Sequence, residues 1–240
     1  METLNNLTVK IFADGADRAG MLEMYANPLI RGFTTNPTLM RKAGVNDYET
    51  FARDIVKSIP DRPLSFEVFT DDFQEMAKQA KYIRSFGDNV YVKIPVTNSQ
   101  GVSSALLIEE LAKSGVKLNV TALLSLTQVE EVAKRLAGGP PAYISVFAGR
   151  IADTGRDPVP LMAKAVDILA HSPNIELIWA SPRELLNVFQ ADEVGCHIIT
   201  ATNDILKKLS LVGKDLLEYS LETVKMFQSD AEAVGYKFAL

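Results

Sequence analysis

LSFEVFTDDFQEMAKQAKYIRSFGDNVYVKIPV, residues 64–96, reads as one strand–helix–strand unit. Its ends, 64–69 and 90–94, are short apolar runs without clean polar alternation, the pattern of strands buried on both faces of a parallel sheet. Between them, 72–86 places Phe73, Met76, Ala77, Ala80 and Ile83 on one helical face, and Gly87 follows as a stop signal. Two parallel strands joined by a crossover helix need both sheet faces covered, so the rest of the chain must repeat the unit.

It does. Short apolar runs recur at 9–13, 30–34, 117–120, 142–147, 176–179 and 197–200, making eight with the two above. Helical stretches alternate with them at 17–26, 46–58, 99–114, 126–136, 158–170, 182–189 and 203–209. A further helical segment occupies about 214–234. Eight such units fill nearly all 240 residues, and no Pro/Ser-rich linker divides them. The expected fold is α/β: a single (β/α)₈ TIM barrel domain over 1–240 with an additional C-terminal helix. A doubly wound open sheet would want a glycine-rich nucleotide turn after its first strand, and none is present.

Composition narrows the function. Twenty-five Lys and Arg against 30 Asp and Glu leave a net charge of −5, which speaks against nucleic acid or an anionic membrane as partner. No apolar run reaches the ~18 residues of a membrane span, and Met1 to Leu7 is no signal peptide. Cys196 is the lone cysteine, so no intrachain disulfide forms; a cytoplasmic location fits. With only His171 and His197 and no paired ligand spacing, neither a metal nor another cofactor is expected. Cys196 and His197 read as packed strand residues, His171 as a helix-end residue, and Lys207-Lys208 as a solvated face.

Barrel chemistry sits at the C-terminal ends of the strands. Lys93 interrupts the apolar strand Val-Tyr-Val-Lys-Ile-Pro-Val. Lysine is rarely buried, and lost solvation favours its neutral, nucleophilic form. Glu67 sits inside Leu-Ser-Phe-Glu-Val-Phe, where an ionised carboxylate needs a partner. Asp14 ends the first strand, and Thr34-Thr35-Asn36-Pro37, which also reads as a turn and a Pro-initiated helix, ends the second. Asn119 and Thr121 alternate at the end of the fifth, Ser145 and Phe147 at the end of the sixth. Arg150, Ser181 and Arg183 follow strands six and seven and offer two guanidinium forks and a hydroxyl to an oxyanion.

Taken in order, these segments resemble the transaldolase family, in particular its short-chain branch, which includes fructose-6-phosphate aldolases. The matching motifs are Asp14, Thr-Thr-Asn36-Pro, Val-Lys93-Ile-Pro, Asn119-Val-Thr121, Ser145-Val-Phe147-Ala-Gly-Arg150-Ile and Ala-Ser181-Pro-Arg183. The resemblance implies a Schiff-base aldolase with Lys93 as nucleophile, Asp14 as acid–base at the C4 hydroxyl, and Glu67 and Thr121 holding a proton-shuttling water. By the same resemblance Thr35, Asn36, Asn119, Ser145 and Phe147 line the substrate, and Arg150, Ser181 and Arg183 hold its distal phosphate. Small sugar phosphates are then the partners, and a homo-oligomer is expected. Fructose-6-phosphate aldolases usually carry Gln at Glu67 and Tyr at Phe147, which favours transfer over simple cleavage here. Pro182 stands where the family pattern has an aromatic, so the anion could be a sulfonate, as in a sulfonated ketose. The reading of another class is a non-catalytic sugar-phosphate-binding barrel.

Overall fold

The computed structural model describes residues 4–238. The first three residues of the N-terminal stretch read above, and the last two of the chain, lie outside the described residues. Eight parallel strands close into a barrel in sequence order: β1 (Lys10–Asp14), β2 (Ile30–Thr34), β3 (Leu64–Glu67), β4 (Val90–Pro95), β5 (Leu118–Leu123), β6 (Ala142–Val146), β7 (Ile175–Trp179) and β8 (Ile198–Thr202). The helices around it are α1 (Arg18–Tyr25), α2 (Pro37–Lys42), α3 (Tyr48–Ser58), α4 (Phe73–Arg84), α5 (Ala105–Lys113), α6 (Leu126–Leu136), α7 (Ala148–Ala152), α8 (Val159–Leu169), α9 (Leu186–Glu193) and α10 (Asn203–Leu206). A last helix, α11 (Leu216–Val234), follows the barrel. The fold is the (β/α)₈ barrel that the alternation implies. Among the described residues no helix is long and apolar enough to cross a membrane.

Two apolar clusters hold it. The larger fills the space between strands and helices, with Phe33, Phe66, Ile94, Leu111 and Trp179 fully buried. The smaller plugs the lower half of the barrel: Tyr91 stacks on Tyr143 at 4.1 Å, and Phe12 meets Tyr143 edge-on at 5.9 Å. Gly32 belongs to this plug, since a Cβ there would lie 2.5 Å from the Phe12 ring. Chemistry is thereby confined to the upper half of the barrel.

Register sets the height of each functional group. Lys93 on β4 stands level with Glu67 on β3 and Asn119 on β5, and Asp14 stands level with Thr34 and Thr202. Most seams are well paired; β1–β8 and β6–β7 each align five residue pairs. The β2–β3 and β7–β8 seams align only two each.

Two helix starts differ from the periodicity. The stretch from 99 becomes helical only at Ala105. The Asn98 side chain accepts from the backbone N–H of Gln100 and Val102, and Asp71 accepts from that of Ser99, so local turns take the donors first. Likewise, the helix expected from 182 begins at Leu186, because Asn187 Oδ1 accepts from the N–H of Arg183 and Glu184. The stretch 203–209 is one turn of α-helix, α10, followed by a 3₁₀ turn over Lys207–Leu211. The five-residue α7 was not read from the sequence; it is too short to show a helical period.

Candidate active site

A cavity of about 530 Å³ opens at the C-terminal end of the barrel. Ten of the twelve site residues named from the sequence line it: Asp14, Asn36, Glu67, Lys93, Thr121, Ser145, Phe147, Arg150, Ser181 and Arg183. Thr35 and Asn119 do not.

Lys93 is only 5% exposed. Its Nζ donates to the Thr35 carbonyl at 2.7 Å and lies 3.2 Å from Glu67 Oε2. Glu67 therefore has the partner its position demanded, and the pair is held by adjacent strands at equal height. Thr35 acts through its backbone: its own hydroxyl is buried and donates to the Ser65 carbonyl, so the side chain cannot meet a ligand. Asn119 is fully buried, donating to Ser65 Oγ at 3.0 Å and accepting from Ser145 Oγ at 2.7 Å. It fixes Ser145 from beneath instead of lining the cavity.

Asp14 stands on β1, where Thr34 Oγ1 donates to its Oδ1 at 2.8 Å. With that proton committed, the 2.6 Å contact between Thr34 and Thr200 hydroxyls makes Thr200 the donor. A relay Thr200–Thr34–Asp14 thus orients the carboxylate. Burial raises the Asp14 carboxyl above its ordinary range; the Lys93 charge and the Thr34 hydroxyl partly oppose that shift, and Glu67 adds slightly to it. Sequence reading missed Thr200, although its place near the end of β8 was the available signal.

Thr121 is 2% exposed, and its hydroxyl has no hydrogen-bond partner among the described residues. Leaving a buried hydroxyl unpaired is costly, and this one faces the cavity, so a ligand or water group is needed to complete it. Ala122, next along, has φ +66°, a left-handed conformation that bends the end of β5.

The far wall carries the cations. Arg183 holds Asp153 through two N–H groups, one bond being 2.8 Å from Nε, and donates to Ser181 Oγ at 3.1 Å. Among the described residues Arg150 has no such partner, and it is exposed; Lys42 of α2, exposed and likewise unpaired among them, adds a cation that the sequence reading did not name. Asn36 caps α2, its Oδ1 accepting from the Leu39 N–H, which leaves its amide N–H groups for a ligand. The Pro-initiated helix expected there is present, and Asn36 lines the cavity.

Gly149 locks this wall. A Cβ there would sit 1.5 Å from the Ser181 carbonyl oxygen, and Ser181 is itself left-handed at φ +61°. Neither backbone can yield cheaply. Gly149→Ala is expected to cost the upper end of about 1–3 kcal/mol. A circular-dichroism melt should show Tm lower by roughly 6–12 °C; an unchanged Tm would refute the interlock.

The other candidates are inert. Cys196 is buried with its thiol pushed up to about 12 by burial. His197 accepts from the Leu177 N–H, and burial lowers its pKa, so it stays a neutral packed ring.

The model of the transaldolase/fructose-6-phosphate aldolase family matches residues 11–238. The chain belongs to this family. A Methanococcus maripaludis protein named "Probable transaldolase" is 36% identical over 202 residues, 84% of this chain and 89% of that one. One of the same name from Dehalococcoides mccartyi is 34% identical over 84% and 90% of the two chains. A transaldolase/aldolase-type activity follows. Among solved structures, a 2,3-dimethylmalate lyase superposes with TM-score 0.57 at 16% identity, covering 98% of this chain and 94% of that one. The 3-hexulose-6-phosphate synthase of Salmonella typhimurium does so at 0.57 and 15%, over 83% and 91%. At such identities these two bear on the fold alone.

Proposed function

We propose that the protein is a transaldolase that moves a dihydroxyacetone unit from a ketose phosphate, such as sedoheptulose 7-phosphate or fructose 6-phosphate, to an aldose phosphate through a Schiff base on Lys93. The observation that carries this reading is the buried amine of Lys93, set level with Glu67 and open to a cavity that Asp14 and two arginines share.

Glu67 Oε2 lies close enough to take the proton the amine sheds before attack. The free amine adds to the C2 carbonyl, whose oxygen takes up a proton to give a carbinolamine. Glu67 and the unpaired Thr121 hydroxyl bind a water between them and through it protonate the departing hydroxyl. Loss of water leaves an iminium. Asp14, oriented by Thr34, removes the C4 hydroxyl proton. The C3–C4 bond then breaks, its electrons pass into the iminium to form an enamine, and C4 departs as the aldehyde of an aldose phosphate. In transfer, the enamine carbon attacks the acceptor aldehyde, and Asp14 returns its proton to the new hydroxyl. Water then hydrolyses the iminium and frees Lys93. Arg150, Arg183 and Ser181 bind the distal phosphate, with Arg183 held in place by Asp153. Asn36 and Ser145 bind hydroxyls of the three-carbon unit. Phe147 offers no hydroxyl to release that unit, which supports transfer. A homo-oligomer in the cytoplasm completes the reading, the location resting on the lone, buried cysteine.

Borohydride reduction in the presence of the ketose phosphate tests it. The Lys93 peptide is expected to gain the mass of a reduced three-carbon adduct; an unmodified Lys93 peptide sinks the mechanism. Free dihydroxyacetone should accumulate only slowly without an acceptor, whereas rapid release would make the enzyme a simple aldolase.

A further inference from the structure

Thr200 is 5% exposed, lines the cavity and takes no part in the steps above. Its strand, β8, flanks β1 on one side, and β2 flanks it on the other. Thr200 stands level with Phe12, whereas Thr34 stands level with Asp14. The 2.6 Å contact between the two threonine hydroxyls therefore crosses the inner face of β1, between the heights of Phe12 and Asp14. It ties the two neighbours of β1 to each other directly beneath the carboxylate.

The direction of this contact matters. The one proton of the Thr34 hydroxyl is given to Asp14 Oδ1, so Thr200 is the donor and occupies a Thr34 lone pair. Oδ1 is thereby held as an acceptor. Oδ2 has no hydrogen-bond partner among the described residues and is left for substrate. A hydroxyl that accepts one hydrogen bond donates a stronger one. Thr200 thus supports the charged carboxylate through one intervening hydroxyl.

We propose that Thr200 is a positioning residue: its hydroxyl, acting through Thr34, holds Asp14 charged and oriented so that Oδ2 takes the C4 hydroxyl proton. This role rests on the Schiff-base reading above. Thr200→Val replaces the hydroxyl with a methyl group of similar size and leaves Asp14 and Thr34 in place. The charged carboxylate then loses support, and Asp14 keeps its proton to higher pH. The groups acting on Asp14 by charge are Lys93 on β4 and Glu67 on β3. β8 carries no ionisable residue, and Arg31 of β2 lines a cavity at the opposite end of the barrel. Asp17 caps α1 and Asp204 lies on α10, both outside the active-site cavity, while Lys42, Arg150 and Arg183 line it. All of these are the same in the variant, so a difference between the two pH profiles reports on Thr200.

The pH dependence of kcat/KM for fructose 6-phosphate, with erythrose 4-phosphate as acceptor, tests it on the full chain. The unchanged protein should show an acid limb where Asp14 takes up its proton. In Thr200→Val that limb is expected about 0.5–1 pH unit higher, with kcat/KM about threefold to tenfold lower on the limb and little changed above it. Thr200→Ser, which restores the hydroxyl, should return the limb to its place. Should Val impair folding by circular dichroism, Thr200→Ala carries the same expectation. An unchanged protein without such a limb, a limb that does not move, a limb that Ser fails to restore, or a kcat/KM lowered equally at every pH would each overturn the proposal. Borohydride trapping on the same samples separates the two levels. A Lys93 adduct with an unmoved limb removes the role of Thr200 alone; no adduct in the unchanged protein removes the Schiff-base reading and this role with it.

Discussion

Lys93→Met is expected to lower kcat by about 10⁴–10⁶-fold, the scale at which losing a covalent nucleophile leaves only binding and polarisation. Methionine keeps most of the side-chain volume, so the plug beneath it should stay packed and the fold intact by circular dichroism. It removes the donor to the Thr35 carbonyl and the partner of Glu67, so the near-buried carboxylate faces the cavity alone. The readout is therefore double: no turnover, and no adduct after borohydride treatment, with phosphate ligands still bound at the Arg150 wall. Retained turnover within tenfold would mean that the amine is not the nucleophile. Ligand binding unchanged with no activity in either protein would instead favour a non-catalytic binding barrel.

Asp14→Asn has the second largest expected effect and the opposite consequence for stability. An amide cannot take the C4 hydroxyl proton, so kcat should fall by about 10²–10⁴-fold. The Lys93 adduct, which forms before that step, should still be trapped with the ketose phosphate. For stability, burial raises the carboxyl's pKa in the folded state, so the native protein binds this proton more tightly than the unfolded chain does. The group then contributes stability below its unfolded value, roughly 3.9, and loses it as pH rises through the folded value. At pH 7 the unfolded chain ionises this group freely while the folded protein resists ionising it, a net cost that Asn removes. Tm of Asp14→Asn should exceed that of the unchanged protein at pH 7, and the gap should close as pH falls towards 4. A gap that widens on acidification would show that Lys93 and Thr34 outweigh burial.

Much of this was legible in the sequence because the barrel imposes one rule on every strand. Fully buried parallel strands read as short apolar runs, so all eight could be located. A charged or polar residue at the end of such a run is conspicuous, which is how Lys93, Glu67 and Asp14 stand out. Period-two spacing placed Asn119 and Thr121 on one side of β5 but could not rank them by depth. Asn119 falls below the cavity because Ser65 and Ser145 claim both ends of its amide. Thr35 and Gly149 show a second limit: one serves through its carbonyl and the other through the absence of a Cβ, and neither role leaves a side-chain signature. The amphipathic tail was visible, but its lack of any partner on its own barrel became evident only in three dimensions.

The two short seams have a dynamic meaning. Only Phe33–Leu64 and Thr34–Ser65 align β2 with β3, and only Ile178–Ile198 and Trp179–Ile199 align β7 with β8. Cut there, the barrel falls into two sectors: β8, β1 and β2, with Thr200, Asp14 and Thr34, and β3 to β7, with Glu67, Lys93, Thr121, Ser145 and, beyond their strands, Arg150 and Arg183. Local opening follows the least-paired boundaries, so amide exchange should begin along these lines. Such an opening draws Asp14 away from Lys93, the acid–base and the nucleophile of the proposed mechanism, while each sector keeps its own hydrogen bonds. Catalytic alignment is then the first property lost on mild destabilisation, ahead of the fold itself.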